Sequence, residues 1–191
     1  MNKNNKLWKR TSLLFPGLAL VLLSVVAHAD DNERKCAHFI SNWGTALYLI
    51  SGPLVSLSDG GTTGKNHAVR DVDALIIDFL ATEAVKQFVN EPRPNGTGSD
   101  SFPSLHTSMA FTLAGMQSAW HPSQAPYWYG GAALIGWART REGYHHWYDV
   151  VAGAALGYGV ARWEISRKNG MLLTPWIEPE EHSAGVTVSI R

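Results

Sequence analysis

The chain has 191 residues, with 16 lysines and arginines against 16 aspartates and glutamates and a single cysteine. That length suits one domain with a core of its own, and the balanced charge lacks the basic surface on which nucleic-acid binding rests. One cysteine, Cys36, excludes an intrachain disulfide framework.

The N-terminus reads as an export signal. Lys3, Lys6, Lys9 and Arg10 form a basic start, residues 13–26 are strongly apolar, and Ala27-His28-Ala29 before Asp30 fits a small-residue cleavage site. Residues 1–29 are therefore expected to be a signal peptide. An uncleaved anchor is the rival, because the uncharged stretch approaches the ~20 residues that a membrane span needs. Without this leader, 12 basic side chains face 16 acidic ones, a net charge of −4. Export without disulfides points to a bacterial periplasm or envelope.

Residues 36–58 are uncharged and apolar but interrupted by Asn42, Gly44, Gly52 and Pro53, which predicts one or two packed helical pieces. Residues 59–66 have the composition of a loop. From Asp71, the apolar residues Val72, Leu75, Ile76, Phe79, Leu80, Ala84, Phe88 and Val89 recur at three and four, an amphipathic helix ended by Pro92 and Pro94. A second helix is expected from Pro103 or Ser104 to about Trp120, a third from about Tyr127 to Trp137, and a last from near His145 to about Ser166. Gly153 and Gly157 in the last one permit close helix packing. Residues 185–190 fit a short strand or a frayed end. The fold class is all-α: a single helical bundle over residues 30–170, followed by a tail over 171–191.

Three separated stretches carry the chemistry. Lys86 and Arg93 lie seven apart, and Lys86 falls on the expected inward stripe, where a lysine needs an anionic partner. Ser104 stands at an expected helix start, where free N–H groups and the helix dipole favour an anion. His106 follows it, with an ordinary pKa of about 6.5 suited to general acid work near neutral pH. His145 and Asp149 are four apart, so a helix would stack them and let the carboxylate fix the imidazole. The same pair could form half a metal site, but Arg139 and Arg141 nearby would repel a cation. His146 would point about 100° away. Fixed cations, histidines and a hydroxyl together suit a phosphoryl group.

The stretches resemble the signature of the type-2 phosphatidic acid phosphatase superfamily, which includes class A acid phosphatases, lipid phosphate phosphatases and vanadium haloperoxidases. Its pattern is lysine, six residues, Arg-Pro; then Pro-Ser-Gly-His; then Ser-Arg, five residues, His, three residues, Asp. Lys86 to Arg93-Pro94 fits in full; Leu105 replaces the motif glycine and Ala138 the motif serine. The resemblance implies that His145 attacks phosphorus to form a phosphohistidine, Asp149 orients it, and His106 protonates the leaving oxygen and later helps activate water. Lys86, Arg93, Ser104, the Leu105 backbone N–H and Arg139 would bind the phosphate. It implies no metal and no cofactor, with vanadate as an inhibitor.

The function expected is an exported, metal-independent phosphatase acting on phosphomonoesters or on lipid phosphates and diphosphates. The alternatives are a vanadate-dependent peroxidase and an envelope binding protein that keeps the fold without activity. Asp71, Asp73, Asp78, Glu83 and Lys86 are too many charges for a bilayer span, which predicts a soluble or peripheral domain. Its partner would be a phosphorylated small molecule or lipid head group.

Overall fold

The computed structural model describes residues 31–167, 170, 173–178 and 183–188; the expected signal peptide lies outside the described residues. Among the described residues six α-helices follow one another: α1 (Asp31–Phe39), α2 (Thr45–Leu57), α3 (Gly61–Phe88), α4 (Leu105–Trp120), α5 (Ala125–Arg141) and α6 (Trp147–Ser166). A π-helical turn, Ile40–Gly44, joins α1 to α2, and a short 3-10 turn, Pro122–Gln124, precedes α5. Strands β1 (Leu173–Glu178) and β2 (Ser183–Val188) pair antiparallel, from Leu173 opposite Val188 to Glu178 opposite Ser183. The all-α expectation thus describes the bundle but not the tail, which is a two-stranded ribbon. Pro175 disguises β1 in the sequence, and a ribbon of two edge strands is where a strand tolerates proline.

Helix α4 is the axis of the bundle. Its residues Thr107, Ser108, Ala110, Thr112, Leu113, Ala114, Gly115, Met116 and Gln117 are all buried. Leu113 packs in a core cluster with Ile40, Trp128, Ala132, Ile135 and Ala138. Helix α6 lies against the other side of α4 at very short range. A Cβ at Gly153 would stand 2.6 Å from the Ser104 carbonyl oxygen, and one at Gly157 would stand 2.0 Å from that of Ser108. No other residue fits at that separation, so the small-residue stripe serves core packing, as its spacing predicts.

Helix α3 departs most from expectation. It begins at Gly61, so most of residues 59–66 is helix and not loop, and the turn is confined to Ser58, Asp59 and Gly60. Gly64 is there for contact: a Cβ on it would meet the Ser56 carbonyl oxygen of α2 at 2.8 Å. The helix is also turned inside out. Asp71, Asp73, Asp78 and Thr82 are fully buried, while Val72, Ile76, Phe79 and Leu80 remain exposed. Asp71 accepts hydrogen bonds from Ser56 Oγ (2.5 Å), Gln117 Nε2 (2.7 Å) and Trp120 Nε1 (3.0 Å). Asp78 accepts one from Ser108 Oγ at 2.5 Å. Burial raises their pKa values to about 7 and about 6, against the lowering effect of those donors. The packed neighbours supply donors that the carboxylates need, so the polar face turns in.

The expectation from the charges of α3 is that it does not span a bilayer; with the carboxylates buried, they do not bear on contact of its exposed apolar face with lipid. None of the described helices is long and apolar enough to cross a membrane.

The two glycines of α6 give a paired test. Gly157→Ala should destabilise the fold by about 1–3 kcal/mol through overpacking. Gly159→Ala, with no atom within 4 Å of the added Cβ, should be neutral or stabilising by up to about 1 kcal/mol. Urea unfolding followed by circular dichroism reads both.

Candidate active site

The C-terminal ends of α3 and α5 and the N-terminal ends of α4 and α6 meet at one end of the bundle. Their approach is fixed by backbone bonds between segments far apart in sequence. Ser104 N–H donates to the Asp149 carbonyl at 3.0 Å, Asn95 N–H to the Gly143 carbonyl at 2.9 Å, and Ser101 N–H to the Glu91 carbonyl at 3.0 Å.

Lys86 sits in the last turn of α3, half-buried, and donates to the Asp100 carbonyl. Burial lowers its pKa and the charge of Asp100 partly restores it. Its inward position is as expected, but the stripe is different: it continues the buried line Asp78, Thr82, not the exposed Phe79. Arg93 lies on the following loop and forms a two-pronged pair with Asp100, Nε to Oδ1 at 2.7 Å and Nη2 to Oδ2 at 2.8 Å. Arg139, 5% exposed, is in the last turn of α5. It donates from Nη1 to Ser41 Oγ at 2.6 Å and lies 4.3 Å from the centre of the Tyr144 ring. Its Nε has no hydrogen-bond partner.

Ser104 is the N-cap residue of α4, as its place in the sequence predicts, but its hydroxyl does not cap the helix. It lies 3.0 Å from the Thr107 hydroxyl instead. Leu105 is the first helical residue and His106 the second, so their N–H groups belong to the turn that has no intrahelical acceptor.

The His145–Asp149 pair differs from the expected stacked arrangement. Helix α6 begins at Trp147, so His145 precedes it and His146 is the N-cap. The His145 Nδ1 atom is 2.7 Å from the Ser101 carbonyl oxygen and 3.8 Å from Asp149 Oδ2. A carbonyl only accepts, so Nδ1 carries the proton and Nε2 keeps its lone pair. Asp149 Oδ2 accepts from Ser101 Oγ at 2.5 Å and from the His146 N–H at 2.7 Å. Asp149 therefore holds Ser101 and the start of α6, and reaches the imidazole through Ser101. His146, expected to point about 100° away from the pair, completes the capping box with Asp149 and stacks on Tyr148.

Both imidazoles are held neutral. Burial first, and then the cations Arg139, Arg93 and Lys86, depress His106 to about 4. Burial and Arg139 depress His145 to about 3, with the bond to Ser101 opposing. The same three cations act on both rings, and the backbone bonds between their segments gather them at one end of the bundle.

The sequence match agrees with this geometry. Residues 72–170 match the family model of the PAP2 superfamily. The chain belongs to the PAP2 superfamily. A curated relative in Porphyromonas gingivalis, lipid A 1-phosphatase, is 36% identical over 158 residues, covering 73% of this chain and 35% of that protein. The chain thus spans about a third of that relative's length. The crystal structure of Aquifex aeolicus LpxE shares the fold with a TM-score of 0.61 at 22% identity, over 77% of this chain and 93% of that one.

Ser41, Asp100, Ser101, Thr107 and Tyr144 also belong to this PAP2 site and are not among the residues expected from sequence. Thr107 and Tyr144 adjoin the motif residues His106 and His145; Ser41 is in a segment outside the family match, where no spacing points to it. Arg141, without an expected role, pairs with Glu33 of α1 at 2.8 Å.

The depressed histidines set a pH dependence. Below the unfolded value of about 6.5 the unfolded chain binds protons that the folded chain refuses, so the stability present above pH 6.5 is lost as pH falls toward 4 and then 3. His106→Gln should flatten this slope in urea titrations between pH 7.5 and 4.5. The difference from wild type isolates His106 from Asp71 and Asp78, whose raised pKa values act in the opposite direction.

Proposed function

We propose that the chain is an exported phosphatase that hydrolyses a phosphate ester through a phosphohistidine at His145. The observation that carries this reading is the neutral His145 ring, proton fixed on Nδ1 by the Ser101 carbonyl, under the influence of Lys86, Arg93 and Arg139. A lone pair on Nε2 beside three cations is the combination that an attack on phosphorus requires.

In the first step the Nε2 lone pair forms a bond to phosphorus while the phosphorus–oxygen bond to the leaving group breaks. Lys86, Arg93, Arg139, the Ser104 hydroxyl and the Leu105 N–H hold the non-bridging oxygens. His106 delivers a proton to the leaving oxygen. Its depressed pKa leaves it neutral near pH 7, so the proton must arrive with the substrate: an anionic ester offsets the three cations that depress it. Water then attacks the phosphohistidine, giving up a proton to His106, and the phosphorus–nitrogen bond breaks to release phosphate and His145. Asp149 keeps the nucleophile oriented through Ser101. No metal or cofactor takes part in these steps.

A lipid phosphate in the bacterial envelope is the substrate class we favour. One support is the relative named lipid A 1-phosphatase. Another is an exposed apolar stripe, Phe39, Trp43, Leu47, Ile50, Leu54 and Leu57, running from the end of α1 across the π-turn and along α2. Its spacing of three and four sets it on one face. Such a face suits contact with a bilayer from which the lipid head group reaches the site.

His145→Ala should lower hydrolysis of p-nitrophenyl phosphate about a thousandfold or more, and orthovanadate should inhibit the wild type. Full activity in that variant would sink the mechanism, and loss of activity in EDTA would restore a metal-based one. The double variant Leu47→Glu/Leu54→Glu should reduce co-sedimentation with phospholipid vesicles by about tenfold or more. Its turnover of p-nitrophenyl phosphate should stay at the wild-type level.

A further inference from the structure

We infer that Ser41, on the π-helical turn between α1 and α2, is a positioning residue that aims Arg139 at the phosphate. The inference rests on the phosphatase reading and adds to the site a segment outside the stretch that matches the family.

Arg139 is nearly enclosed, and a buried guanidinium with an open N–H is costly unless an anion completes it. Two contacts fix its plane. Ser41 Oγ accepts from Nη1 at 2.6 Å, and the Tyr144 ring lies 4.3 Å from the guanidinium carbon. The Nε N–H is buried without a partner. The cation is thus held by one hydrogen bond and one ring while a donor stays unspent, the state expected of a group awaiting an oxygen of the ligand.

Ser41 reaches this place because the helix is locally widened. Ile40–Gly44 is a π-turn, and such turns frequently mark functional sites in otherwise regular helices. The Thr45 hydroxyl donates to the Ile40 carbonyl at 3.0 Å, closing the turn from inside. Ser41 is fully buried, and the same part of the chain grips the end of α5 twice more, His38 to Glu142 at 2.9 Å and Arg141 to Glu33 at 2.8 Å. Three contacts from one segment to the last turn of α5 and the residue after it hold the helix end, but only Ser41 touches the cation of the site.

The test is the affinity of the full chain for inorganic phosphate and orthovanadate, measured by calorimetry, together with kcat and KM for p-nitrophenyl phosphate. Ser41→Ala should weaken both anions about tenfold, the size of one hydrogen bond to a charged group, and Ser41→Thr should restore them. In an Arg139→Ala background, Ser41→Ala should cost nothing further, because its effect runs through the arginine. Ser56→Ala, which removes a buried hydroxyl from Asp71 in the same bundle, should lower thermal stability and leave anion affinity unchanged. Equal anion affinity in Ser41→Ala and wild type would overturn the inference while leaving the phosphatase reading intact. Additive losses with Arg139→Ala would overturn it as well. A wild type that binds neither anion and hydrolyses no phosphate ester would overturn both.

Discussion

The site depends on how closely α4 and α6 approach. Gly153 and Gly157 let the backbone of α6 settle against the Ser104 and Ser108 carbonyls, at separations where a Cβ would collide. That contact sets the N-terminus of α4 beside the start of α6, and the Ser104 N–H to Asp149 carbonyl bond ties them. Two helix N-termini then share one end of the bundle, and both bring positive partial charge to it. The histidines are carried on these two starts, His106 one residue inside α4 and His145 two residues before α6. A shift between the helices would move the proposed acid and the proposed nucleophile relative to each other, and no loop could compensate.

The same close packing explains the polar interior. Small residues on α4 and α6 leave little apolar volume, and the space is filled by Ser108, Thr112, Gln117, Asp71 and Asp78, bonded to one another and to backbone. Such a network is costly where incomplete and rigidifying where satisfied. Ser108 bonds Asp78 one helical turn below Ser104, so the network braces the part of α4 that carries the site. With α3's carboxylates committed inward, Val72, Ile76, Phe79 and Leu80 are left facing out.

Much of this was legible in the sequence where local rules decide. The helix boundaries at Ser104 and Trp120 and the small-residue face of α6 follow from caps, prolines and spacing. The expected grouping of Lys86, Arg93, Ser104, His106, Arg139 and His145 rests on the resemblance of their three stretches to one family signature. The face of α3 did not follow, because periodicity marks two faces of a helix without telling which one is buried; a partner such as Gln117, 46 residues away, decides it. The His145–Asp149 geometry did not follow either. Spacing of four implies a shared face only if the helix already includes both residues, and here the capping box at His146 starts it too late. Ser41 was beyond reach for a simpler reason: its partner is 98 residues away and no motif contains it.

Lys86, Arg93 and Arg139 act on two neutral imidazoles. Asp149 is committed to Ser101 and the His146 N–H, and Asp100 is clasped by Arg93. That carboxylate is 56% exposed, and an ion pair so open to water contributes only about 0–1 kcal/mol. A phosphate dianion, with more charge and more acceptor oxygens, can therefore draw on Arg93 at little cost. Arg139 is different: buried and held by Ser41 and Tyr144, it cannot turn toward an alternative anion. The pair thus combine one adaptable and one fixed cation. In the proposed reaction the fixed one would set where phosphorus lies relative to His145 Nε2. The adaptable one would let substrates of different shape enter without disturbing that distance.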